Sequence, residues 1–236
     1  MAVQVDIKAL LEAGVHFGHK TSRWHPKMAP YIHSKRGDSH IIDLTKTVEG
    51  LERALPFLSE VTSKGKSVLL VGTKKQAKDI VREAAEASGS LYVTERWMGG
   101  MLTNTATVNA RLKHLKTLEK KMESGELANR YSKLEVQRFQ EEIDDLNRKY
   151  SGIKNMNGKP GAVFVTDVLE DANAVREAKK LGIPVVALVD SNANPTGIDY
   201  VIPGNDDAIK GLKLILDYVV AAIAEGKASQ AKLEKS

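Results

Sequence analysis

The chain has 236 residues, 42% hydrophobic and 28% charged, a composition that folds into a globular protein and excludes a disordered one. Thirty-five Lys and Arg against thirty Asp and Glu give a net charge of +5 and a pI near 9.2, a mild bias toward a polyanionic partner. The absence of cysteine excludes disulfides and thiolate chemistry, no secretory leader is expected, and no apolar run reaches the ~18 residues that span a membrane.

In chain order, Asp6 to Gly14 reads as a short helix, with Asp6 as N-cap, apolar Ile7, Leu10 and Leu11, and Gly14 as stop. "HFGHKTSRWHPKMAPYIH" follows, from His16 to His33, holding four of the six histidines. Between His16 and Arg36 there are five Lys or Arg and no Asp or Glu. Tyr31-Ile32 and Ile41-Ile42 flank polar residues around Gly37 and read as a small hairpin. Thr45 or Thr47 is expected to cap a helix with the stripe Val48, Leu51, Leu55, Leu58 and Val61, Pro56 lying within it.

Buried strands and helices then alternate. "SVLLVG" is followed by the helix "TKKQAKDIVREAAEASG", closed by Gly89, and then by "LYV". "AVFVTD", the helix "DANAVREAKKLG", "IPVVALVD", "YVIPG" and a helix from Asp206 to Glu225 complete the series. Apolar strands alternating with helices predict a mainly parallel sheet covered on both faces, in the flavodoxin-like or Rossmann-like class. The stretch 105–150 breaks this rhythm. Val108, Leu112, Leu115, Leu118 and Met122, then Val136, Phe139, Ile143, Leu146 and Tyr150, recur at heptad-like spacing around "ESGEL". They predict an antiparallel coiled-coil hairpin, inserted between the third and fourth main strands and projecting as a contact arm. The expected division is an α/β domain of 1–104 and 151–225, with the N-terminal helix and hairpin in 1–44, the insertion 105–150, and a flexible tail 226–236.

Several chemistries fail at the level of pattern. No G-x-G-x-x-G follows a strand, and "GIKNMNGKP" has five residues between Gly152 and Gly158 where a P-loop has four. Asp167 and Asp190 end strands at the sheet's carboxyl edge, yet no base or nucleophile is coupled to them, and loop capping is the simpler role. No metal is expected. His16 and His19 are the candidate ligands should one bind, but no carboxylate lies between His16 and Arg36 to complete a ligand set and the surroundings are cationic. Nucleic acid fits better: Phe17, Trp24 and Tyr31 interleave with Lys20, Arg23, Lys27, Lys35 and Arg36. Cations neutralise phosphates while aromatic and histidine rings stack on unpaired bases. The plainer alternative makes Phe17, Trp24 and Trp97 core residues and the cations a solvated face.

"GVHFGHKTSRWHPKMAPYI", "SVLLVGTKKQA", "ERWMGGMLTN", "VFVTDV" and "NPTGIDYVIPGNDDA", in this order, resemble the bacterial small-subunit ribosomal protein S-two family from about Val5 to the final helix. The resemblance implies a five-stranded parallel α/β domain bearing a coiled-coil hairpin. It implies a ribosomal, cytoplasmic protein of translation that binds small-subunit ribosomal RNA near the head–body junction and joins late in assembly. Other small-subunit proteins are implied partners, including the mRNA-binding protein S-one, which it helps to dock. Catalysis, a cofactor, a small-molecule substrate and a membrane are not implied. RNA-facing candidates are then His16, His19, Lys20, Arg23, Trp24, Lys27, Lys35, Arg36, Lys74, Lys75, Arg96 and Asn104, with Arg111, Lys113 and Lys116 on the hairpin. Ile7, Leu10 and Leu11 are candidates for a protein partner. Two rivals are an enzyme of phosphosugar-isomerase type using the strand-edge aspartates, and an RNA-binding adaptor acting off the ribosome.

Overall fold

A computed structural model describes residues 4–233. The Asp6 carboxylate accepts from the Lys8 amide and starts α1 (Ile7–Glu12). β1 (Phe17–Lys20), β2 (Ile32–Arg36) and β3 (Ser39–Ile42) form a small antiparallel sheet in the order β1-β3-β2. α2 (Leu44–Ser63) is capped by Asp43, whose carboxylate accepts from both the amide and hydroxyl of Thr45. The expected caps Thr45 and Thr47 are displaced because a carboxylate satisfies the free amide better. Thr47 instead lies buried, its hydroxyl donating to the Pro203 carbonyl at 2.7 Å.

β4 (Val68–Val71), α3 (Lys78–Ser88) and β5 (Leu91–Val93) open the main sheet. Next come α4 (Thr105–Glu123), α5 (Glu126–Arg130) and α6 (Lys133–Tyr150). β6 (Ala162–Val165), α7 (Ala172–Lys180), β7 (Val185–Val189), β8 (Tyr200–Pro203) and α8 (Ile209–Leu233) complete the chain. The five strands run parallel in the order β5-β4-β6-β7-β8. Because side chains alternate along a strand, Leu70, Phe164 and Leu188 face a core shared with α2, α3 and α8. Leu69, Val163 and Val185 face the opposite core, shared with α7 and the insertion. Both faces are therefore covered, as the apolar runs predict. Strand order reverses between β4 and β6, and the crevice beyond their carboxyl ends is where α/β sheets place their sites.

The structure departs from the sequence reading in three further places. The insertion follows the second strand of this sheet, β5, and precedes the third, β6. Its buried residues, from Val108 to Tyr150, are continuous with the sheet core through Leu91, Val93 and Ile153, so its root is embedded rather than merely projecting. α8 runs past Glu225 to Leu233, making 226–233 helix where a tail was expected, while 234–236 lie outside the described residues. Gly226 looks like a stop, yet a Cβ there would lie 2.2 Å from the Ser59 carbonyl oxygen of α2. The glycine lets the two helices touch.

Candidate nucleic-acid interface

The N-terminal patch is presented by the small sheet and two 3₁₀ turns, Thr21–Arg23 and Pro26–Tyr31. Its frame is pinned to the main sheet: the His19 amide donates to Ser191 Oγ and the His25 amide to the Ser191 carbonyl, both at 2.8 Å. His25 Nδ1 accepts from the Lys27 amide, so this histidine caps a turn. On this frame Lys20, Arg23, Lys27, Lys35 and Arg36 are all exposed. Among the described residues none of the five has a carboxylate within 4.0 Å. Lys27 Nζ donates to Thr196 Oγ1 at 2.8 Å. Phe17 and Trp24 are 49% and 38% exposed, so the core alternative fails for them, whereas Trp97 is buried. The Trp24 indole is backed by the His40 ring, centroid to centroid 5.1 Å. His16 packs on Phe17, and burial together with nearby Arg36 lowers its pKa, which favours a neutral ring.

Other sequence candidates separate. His19 Nδ1 lies 3.1 Å from Asp190 and Nε2 lies 3.4 Å from Asp207. The Asp190 hydrogen bond raises its pKa, against the opposing effect of burial. Lys74 is no free cation: Nζ meets Asp206 at 2.6 Å, Asp207 at 2.7 Å and Asp167 at 3.2 Å. Burial opposes its charge, but these carboxylates outweigh it and raise its pKa. Asp206 is pushed up to about 7 by burial and by the Asp167 and Asp190 charges, with Lys74 offsetting part. The RNA-facing candidate Lys74 therefore offers no free charge, because its ammonium group is held by the carboxylates of the sheet edge.

The carboxylates missing around His19 in sequence arrive in space. Donor atoms of His19, Asp206 and Asp207 lie within 4.8 Å of one another, a set able to take a divalent cation, whereas His16 does not belong to it. Asp190 and Asp167 also act locally, Asp167 accepting from the Leu169 and Glu170 amides as the capping role predicts. Lys75 and Arg96 are exposed. Asn104 caps α4, accepting from the Thr107 amide. Leu10 is fully buried in the core and is removed as a partner contact, leaving Ile7 and Leu11 at 43% and 53% exposure.

On the insertion, α4 and α6 are bridged by His114 to Glu142 at 2.9 Å and Asn147 to Glu119 at 2.8 Å. Arg111, Lys113 and Lys116 are exposed. Lys113 and Lys116 line a groove with Lys120, Lys121 and Lys154, three cations the sequence reading passed over. For Lys120 a signal is present, since it continues the helical spacing of 113 and 116, although Glu119 lies beside Lys116 on the helix. Glu177 on α7, joined to the "WMGGMLT" loop by several hydrogen bonds, had no such signal.

The family model described as Ribosomal protein S2 matches residues 10–226. Small ribosomal subunit protein uS2 of Chloroflexus aggregans is 52% identical over 222 residues, covering 94% of this chain and 93% of that protein. The Chloroflexus aurantiacus protein of the same name is 53% identical over the same spans. That of Roseiflexus sp. is 49% identical over 230 residues, covering 98% of this chain and 87% of its own. With a family model spanning most of its length and relatives about half identical along it, the chain belongs to the ribosomal protein S2 family.

Proposed function

We propose that this protein is a structural constituent of the small ribosomal subunit that acts in translation by binding small-subunit ribosomal RNA near the head–body junction. The observation that carries the RNA contact is the patch of five exposed cations, without carboxylate partners among the described residues, set around two exposed aromatic rings. Unpaired cations favour phosphates, and exposed rings favour unpaired bases. Lys75, Arg96 and the α4 cations extend this contact, with α4 and α6 pairing as an antiparallel coiled-coil arm. The α/β unit of 4–104 and 151–233, α8 included, and the insertion of 105–150 act as its two parts. Ile7 and Leu11 offer an apolar contact to a neighbouring ribosomal protein, S-one among them. Its place is the cytoplasmic ribosome, and it has no catalytic task and no small-molecule substrate. The test is sedimentation of a cell extract at low salt. Comigration with the small subunit is expected, and protein left at the top of the gradient refutes the proposal.

A further inference from the structure

We infer that Glu177 is a positioning residue that sets the direction in which the helical insertion leaves the α/β body. Its carboxylate gathers the whole entry loop of α4. Oε1 accepts from Trp97 Nε1 at 3.0 Å and from the Gly100 amide at 2.7 Å. Oε2 accepts from the Leu102 amide at 3.0 Å and from the amide and hydroxyl of Thr103, both at 3.1 Å. All five donors lie in the stretch that ends at Asn104, the N-cap of α4, and Glu177 sits on α7 packed against the sheet. Gly100 takes φ +86°, a backbone conformation that side-chain-bearing residues rarely adopt, within this loop. Burial acts to raise the Glu177 pKa, but the indole and amide donors outweigh it and hold the group ionised.

A carboxylate with five donors is rigid, because any rotation of the loop breaks several charge-assisted bonds together. The sites it links are more than 70 residues apart in sequence, so it is no local turn cap. This inference rests on the proposal that the insertion and its entry loop meet RNA: an arm fixed before binding does not lose that freedom on contact. Glutamine at 177 would turn an NH₂ group toward either two or three N–H and O–H donors, which is repulsive whichever way the amide lies.

The chain has no cysteine, so two can be added for spin labels, Ser124→Cys at the far turn of the insertion and Lys213→Cys on α8. Pulsed electron resonance on this protein should give one narrow distance distribution, and Glu177→Gln should broaden it without changing hydrogen exchange in β4, β6 and β7. The variant should also bind small subunits lacking this protein on the order of ten-fold more weakly. Thr103→Val, which removes a single donor, should broaden the distances less and serves if Glu177→Gln does not fold. An unchanged distribution overturns the inference, and so does a broadened one with undiminished subunit affinity. If the parent protein fails to bind subunits at all, the ribosomal proposal falls while the distances still decide the role of Glu177.

Discussion

At Lys74 the sequence suggests one partner and the structure supplies another. The lysine follows a strand-to-helix turn where anions bind, but Asp167, Asp206 and Asp207, brought in by distant segments, take its ammonium group. Lys74→Met should therefore leave buried acids uncompensated and cost about 3 kcal/mol in urea unfolding, with the salt dependence of RNA binding unchanged. A normal midpoint together with a shallower salt slope would return Lys74 to the RNA. Asp171 makes a pH prediction. Burial raises its pKa to about 6, Thr73 hydrogen bonds opposing and the Asp167 and Glu170 charges adding. The folded state then holds a proton more tightly than the unfolded chain, whose ordinary value is 3.8. Stability due to this group is full below that value, falls as pH rises toward 6, and stays lost above. Asp171→Asn keeps an acceptor for Thr73, so it should gain roughly 1–2 kcal/mol over the parent at pH 7.5 and almost nothing at pH 4. Equal gains at both pH values in urea titrations would contradict this proton linkage.

Elements were legible wherever one period dominated the pattern. Apolar runs bounded by turns became β4, β6, β7 and β8, and the stripe Val108, Leu112, Leu115, Leu118 became the buried face of α4. Boundaries were less legible, because distant contacts set them. Gly226 resembles a helix stop in any local reading, and only the crossing of α8 against α2 shows it to be a spacer. Gly226→Ala should accordingly destabilise by about 1–3 kcal/mol despite alanine's better helix propensity, since its methyl meets backbone at Ser59. A rise in melting temperature would mean that the helices separate at no cost. Leu115, fully buried, joins the insertion to the core around Tyr150 and Ile153. Leu115→Ala should cost about 2–4 kcal/mol and lower the melting of insertion and body together. Separate transitions by hydrogen exchange would show instead that the insertion folds as an independent unit.

For the whole molecule, charge was easier to read than pairing. The run from His16 to Arg36 shows its lack of acids in sequence, and on the fold its five cations have no carboxylate within 4.0 Å among the described residues. His19 and Lys74 look like the patch cations in sequence and differ from them in space, because the carboxyl edge of a parallel sheet gathers aspartates from 167, 190 and 206–207. That gathering is a property of topology, invisible to spacing along the chain. It divides the cations into two classes: those whose charge is satisfied internally and those left for a polyanion. Only the second class should appear in the salt dependence of binding, since counterions are released only where phosphates are newly neutralised. Arg23→Glu with Arg36→Glu should weaken association with small-subunit ribosomal RNA and reduce the slope of log affinity against log salt by about 2, roughly one per lost phosphate contact. Arg53→Glu, an equal change of sign per residue on exposed α2, should leave the slope nearly unchanged, because net charge alone does not make a contact. Slopes measured from about 50 to 200 mM salt separate the cases. If the α2 variant lowers the slope as much per charge as the patch variant, binding follows the overall field of the protein and the patch is not the interface.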